Sequence, residues 1–123
     1  DFEGTPTKLV EYHGQKNVLV LHPKSRTEPA ALVRTFELPA DKPAKLSVRV
    51  ASHDGGDWDL RATCNGERLP GSAKIDASNP NKRWKKQTWD LSAYQGKKVT
   101  LRLENWPSEW MNEFSFWSDL KVE

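Results

Sequence analysis

Sulfur is scarce in this chain: 123 residues contain one cysteine, Cys64, and one methionine. A lone thiol excludes an intramolecular disulfide and any multi-cysteine metal site, and it leaves the compartment open. Charge of one sign is lacking too, since 19 Lys and Arg face 17 Asp and Glu for a formal net charge of +2. That balance is too even to point to a nucleic-acid partner. No stretch approaches the roughly 20 consecutive apolar residues of a membrane span, and no signal-peptide pattern is present. The chain opens on Asp1 rather than Met, as a mature product or an excised domain would. No segment keeps a sustained helical period.

What is present is aromatic mass and alternation. Six Trp and four Phe supply large core surfaces although only 36% of residues are hydrophobic. Leu46, Val48 and Val50 alternate with Lys45, Ser47 and Arg49. Val99, Leu101 and Leu103 alternate with Lys98, Thr100, Arg102 and Glu104. Trp58, Leu60, Ala62 and Cys64 form a third row opposite Asp59, Arg61 and Thr63. Period-two rows mark strands with one buried and one solvated face. Further strands are expected over 17–22, 31–38, 68–76, 83–91 and 113–122. Turn chemistry at 39–43, 65–66, 79–81 and 95–96 separates them. The reading is all-β: one antiparallel sandwich domain over residues 1–123.

Strand parity then sorts the loops. If successive strands alternate in direction, loops 23–30, 53–57, 77–82 and 106–112 open at one end, and loops 39–43, 65–67 and 92–97 at the other. The second end holds ordinary turn residues. The first gathers His22, Lys24, Arg26, His53, Asp54, Asp57, Asn79, Asn81, Lys82, Trp106, Glu109, Trp110 and Asn112.

The stretch Trp89-Asp-Leu-Ser-Ala-Tyr-Gln-Gly-Lys-Lys-Val-Thr-Leu-Arg-Leu-Glu104 resembles the galactose-binding-like β-sandwich superfamily, in which a Leu-Ser-x-Tyr-x-Gly turn precedes a Val-x-Leu-x-Leu strand. The ending Phe116-Trp-Ser-Asp-Leu-Lys-Val122 is similar to the final strand of those jelly rolls. With Val18 to Pro23, Pro29 to Phe36 and His53 to Leu60, the chain also resembles a domain appended to multidomain proteins of planctomycete-type bacteria. The resemblance implies a jelly-roll fold, and a carbohydrate-binding-module-like domain within a larger exported protein, extracellular or periplasmic. It further implies a structural calcium, for which Glu3 and Asp119 near the two termini occupy comparable places.

The expected ligand is a polysaccharide or glycan, held at the loop end, and the domain is expected to be monomeric with neighbouring domains in a larger chain. Trp106 and Trp110 would offer flat faces to a sugar ring. Asp54, Asp57, Glu109 and Asn112 would accept or donate hydrogen bonds, and His53 would contribute a second edge. The competing role for the two indoles is to plug the sandwich. Trp58 and Trp89 share the inward phase of their strands and are expected in the core, whereas Trp84 lies on the opposite phase and is expected to be exposed. Trp117 shares a phase with Asp119 and Lys121. The run Lys82-Arg-Trp-Lys-Lys86 reads as a solvated strand rather than a nucleic-acid site. No nucleophile-elbow or zincin motif accompanies the Ser, His and Asp residues, so no catalytic activity is expected. The alternative class is a protein-interaction or architectural domain that docks against neighbouring domains through exposed indoles.

Overall fold

The computed structural model describes residues 7–76, 84–108 and 113–123. Its strands are β1 (Thr7–Tyr12), β2 (Gln15–Leu21), β3 (Ala30–Glu37), β4 (Lys45–Ser52) and β5 (Trp58–Cys64), then β6 (Glu67–Arg68), β7 (Ala73–Ile75), β8 (Lys85–Asp90), β9 (Lys98–Trp106) and β10 (Ser115–Val122). They form an antiparallel jelly-roll β-sandwich. One sheet runs β1-β2-β10-β4-β8, and the other runs β3-β9-β5-β6 with β7 also paired to β5. Among the described residues no helix is long and apolar enough to cross a membrane.

The three alternating rows face inward as their period requires. Leu46, Val48 and Val50 of β4 meet Leu60, Ala62 and Cys64 of β5 and Val99, Leu101 and Leu103 of β9 in one core. Each large aliphatic side chain so buried contributes about 1.5–3 kcal/mol. At the centre, Trp58 of one sheet and Trp117 of the other lie with ring centroids 5.0 Å apart and no exposed surface. Trp89 is buried as its phase predicts. Trp117 faces inward because β10 changes phase part-way along. Asp119 adopts a left-handed φ of 56°, and the β10–β4 register slips between Ser118 and Lys121. The extra residue of that bulge lets Trp117 and Leu120, three positions apart, pack against the same core.

Two sequence expectations change. The segment 68–76 is not one strand but two short ones, β6 and β7. Trp84 is on the outward phase, yet it is buried, because the chain before β2 supplies a strand that the alternation did not mark. Strand β1 is almost wholly exposed and mixes polar with apolar residues. It returns to β2 through His13 and Gly14, both with positive φ, as a two-residue hairpin turn of the primed type requires. The hairpin folds over the outer face of its own sheet. Tyr12 stacks on Phe116 at 3.8 Å, and Trp84, Val18, Ala51 and Phe116 form a second small apolar cluster beneath it.

Candidate functional site

Register fixes which loops meet. Leu21, Ser115 and Ser52 lie abreast in one sheet, and Ala30, Asn105 and Leu60 lie abreast in the other. Strands β2, β4 and β9 therefore end, and β3, β5 and β10 begin, at the same end of the sandwich. Asn105 ties the two sheets together there. Its buried side-chain amide donates to the Glu113 carbonyl and the Ser115 hydroxyl, each at 2.9 Å, and reaches the Leu21 carbonyl at 3.4 Å. The contrasting end holds the turns around Pro39, Asn65 and Gly96, with Gly96 N–H donating to the Pro39 carbonyl.

The loop end contains two groups of side chains. The first is aromatic. Phe114, 37% exposed, sits beside His22 with centroids 4.7 Å apart and rings inclined at 61°, and beside His53 at 6.0 Å. The His22 Nδ1–H donates to the Pro23 carbonyl at 2.9 Å. His53 opens a tight turn: Gly56 N–H returns to its carbonyl, and its Nδ1 accepts from Gly55 N–H at 3.1 Å. An Nδ1 that accepts places the proton of the neutral ring on Nε2, leaving His53 a defined donor.

The second group is charged and largely satisfied internally. Asp57 receives the Ser108 hydroxyl on Oδ1 and the Lys74 ammonium on Oδ2 at 3.1 Å. Ser108 also lies 3.3 Å from Oε1 of the fully buried Glu113. Partial burial would raise the Asp57 pKa, but the hydrogen bonds from Ser108 and Lys74, with the Lys74 charge, outweigh it and hold this carboxyl below the usual carboxylate range. Asp54 accepts from His13 Nε2 at 3.0 Å and lies 3.4 Å from the Tyr12 hydroxyl. Both aspartates thus brace the loop from below, one to β7 and one to the first hairpin.

Trp106 occupies neither group. It stands on the outward face of the β3-β9-β5 sheet, half-buried, with the Arg61 guanidinium 4.5 Å above its ring. Its indole N–H donates to Glu104 Oε1 at 3.2 Å, and Glu104 Oε2 accepts from Arg102 at 2.8 Å. One face of this indole is therefore covered by a cation. Of the other expected site residues, Trp110, Glu109 and Asn112 lie outside the described residues, as does Glu3. Asp119 is exposed and paired with Arg49 at 3.4 Å. Among the described residues no group of three or more His, Cys, Asp and Glu gathers in a way that could hold a metal ion.

Solved structures share this architecture. The C-terminal domain of EclA, described as a sugar-binding protein, matches with a TM-score of 0.71 at 15% identity, over 94% of this chain and 83% of that one. A carbohydrate-binding module, CBM36, in complex with calcium and xylotriose, matches with a TM-score of 0.59 at 15% identity, over 100% and 96% of the two chains. A cyclase from Fischerella sp. TAU matches with a TM-score of 0.61 at 15% identity, over 93% and 68%. At such identities the likeness is one of fold, and the fold carries both binding modules and an enzyme. No protein-family model and no curated protein matches the sequence.

Within this aromatic group Phe114 is the residue that sequence reasoning missed, since His22 and His53 are both gathered at this end by strand parity. Phe114 was placed inside the last strand, and only the structure shows it one residue ahead of β10 and partly exposed. The two histidines are 31 residues apart in the chain. Strand parity is the signal that joins them.

Proposed function

We propose that this chain is a non-catalytic carbohydrate-binding module that takes a glycan at its loop end. The observation that carries the reading is the Phe114 ring, partly exposed and flanked by His22 and His53. An aromatic face suits the apolar C–H side of a pyranose, and the His53 Nε2–H supplies a donor to a hydroxyl beside it. Because Asp54 and Asp57 are already bonded within the protein, the ring face and the imidazoles provide the ligand contacts. The geometry supports a neutral sugar. Trp106 offers at most its second face, at the border of the site.

The sugar-binding titles among the fold neighbours support this reading. In this reading the domain serves a larger exported protein, outside the cytoplasm, and brings its neighbouring domains to a polysaccharide. A screen of the isolated domain against neutral glycans tests it: retention on at least one supports the proposal, and retention on none transfers the loop end to a docking role.

A further inference from the structure

A second concave surface lies away from the loop end. Strands β2 and β10 pair only from Leu21 to Leu19 against Ser115 to Trp117. Past that point the sheet opens, and the cause is local. Asn17 on one wall and Asp119 on the other are both left-handed, each with φ of 56°, a conformation uncommon for residues other than glycine. One turns β2 away and the other bulges β10. The resulting groove has a volume of about 720 Å³ and is walled by β1, β2 and β10. Asn and Asp are the non-glycine residues that enter this conformation most readily, so both walls of the groove are shaped by local sequence.

The groove is held open rather than loose. The Ser118 hydroxyl donates to the Lys16 carbonyl at 3.1 Å, and the Trp84 indole N–H is shared between the carbonyls of Tyr12 and His13 at 3.1 and 3.2 Å. Such fixing reduces the cost of ordering on binding. Its chemistry is rich in donors. Lys8 and Lys16 line it, and neither has an ion-pair partner among the described residues, while Asp119, its lining carboxylate, is neutralised by Arg49. The side-chain amides of Gln15 and Asn17 line it as well, without hydrogen bonds among the described residues. Trp117 contributes to the wall but is fully buried, so no aromatic face is offered. Two uncommitted ammonium groups and two amides, with no stacking platform, fit a ligand that carries negative charge together with many hydroxyls.

We propose that the groove between the β1–β2 hairpin and β10 is a second binding site, for an anionic oligosaccharide. The lysines would meet its carboxylate or sulfate groups through charge-assisted hydrogen bonds, and the amides its hydroxyls. The choice of a saccharide rests on the carbohydrate-binding reading above, but the site and its residues are separate from the loop end.

The test is amide chemical-shift mapping of the full chain with oligogalacturonate, with neutral xylo-oligosaccharide and with oligoglutamate as comparisons. We expect oligogalacturonate to shift residues 8–10, 15–19 and 118–120, and added salt to weaken the effect. The double variant Lys8→Ala/Lys16→Ala, at exposed positions, should bind it at least about tenfold more weakly, while Phe114→Ala should bind it normally. Shifts confined to 53–57 and Phe114 would overturn the groove and leave the loop-end reading standing. Equal binding of xylo-oligosaccharide in the groove would overturn the anionic requirement, and equal binding of oligoglutamate would overturn the saccharide. Absence of shifts with oligogalacturonate would overturn the groove site, while the loop-end reading is decided separately by the neutral-glycan screen.

Discussion

Trp84 and Tyr12 fasten the first hairpin to the sandwich: the indole N–H reaches the Tyr12 carbonyl at 3.1 Å while the Tyr12 ring lies flat on Phe116. The contact joins the start of β8 to a hairpin more than 70 residues earlier. It also braces both candidate sites, because the hairpin roofs the groove and its tip, through His13, holds Asp54 of the loop end.

Replacing Trp84 by Ala should therefore cost on the order of 3–5 kcal/mol, through lost burial and a residual void. Trp84→Phe loses the N–H and part of the bicyclic ring but keeps an aromatic ring in place, so it should cost less, on the order of 1–3 kcal/mol. Denaturant unfolding measures both. Hydrogen exchange in the alanine variant should show lost protection at residues 7–18. A Trp84→Ala protein as stable as the parent would mean that the hairpin is not anchored here.

Trp58 and Trp106 should separate sharply in the same assay. Trp58 has no exposed surface and donates its indole N–H to the Ala51 carbonyl at 3.0 Å, so Trp58→Ala should cost on the order of 3–5 kcal/mol. Trp106 is half-buried and holds mainly Arg61 and Glu104. Its loss should cost about 1 kcal/mol, the scale of a partly exposed cation–π contact. Thermal melts of the two variants side by side decide it, and equal destabilisation would show that Trp106 is part of the core.

Asp57 makes the loop end sensitive to acid. Its folded-state pKa lies below its unfolded value, which is near 3.8. A depressed carboxyl stabilises the fold above the unfolded pKa, and that contribution disappears as pH falls through the folded one. Stability should thus decline below about pH 4, and Asp57→Asn should flatten this part of the profile. Urea midpoints measured from pH 6 down to pH 2 provide the check. A wild-type-like acid decline in the variant would assign it to other carboxyls.

The fold was legible where one period ran undisturbed. Leu46–Val48–Val50, Trp58–Leu60–Ala62 and Val99–Leu101–Leu103 face the core as their alternation requires. Prediction failed where phase alone could not say what covers a face. Trp84 was expected in solvent because nothing in Thr7–Tyr12 advertises a strand; its residues are exposed, and its pairing is set by the His13–Gly14 turn. Trp117 could not be assigned because the bulge at Asp119 reverses the phase of β10 after it. The site was legible only in outline. Parity brought the ends of β2, β4 and β9 and the starts of β3, β5 and β10 together, but it could not show that Asp54 and Asp57 are bonded within the protein or that Phe114 is partly exposed. Those outcomes depend on cross-chain partners, His13, Lys74 and Ser108, that no local pattern links to them.

The claim that matters most is that the Phe114 face captures sugar. Affinity electrophoresis through a panel of neutral polysaccharides, with wild type and Phe114→Ala run together and each variant's melting temperature recorded, tests it most directly. Phe114 is already partly solvated, so its removal should lower the melting temperature by only a few degrees, the size expected of about 1 kcal/mol or less. The account predicts that at least one polysaccharide retards the wild type and that the variant migrates as it does in a gel without polysaccharide. Retardation of both proteins alike, or of neither in any gel, would contradict it.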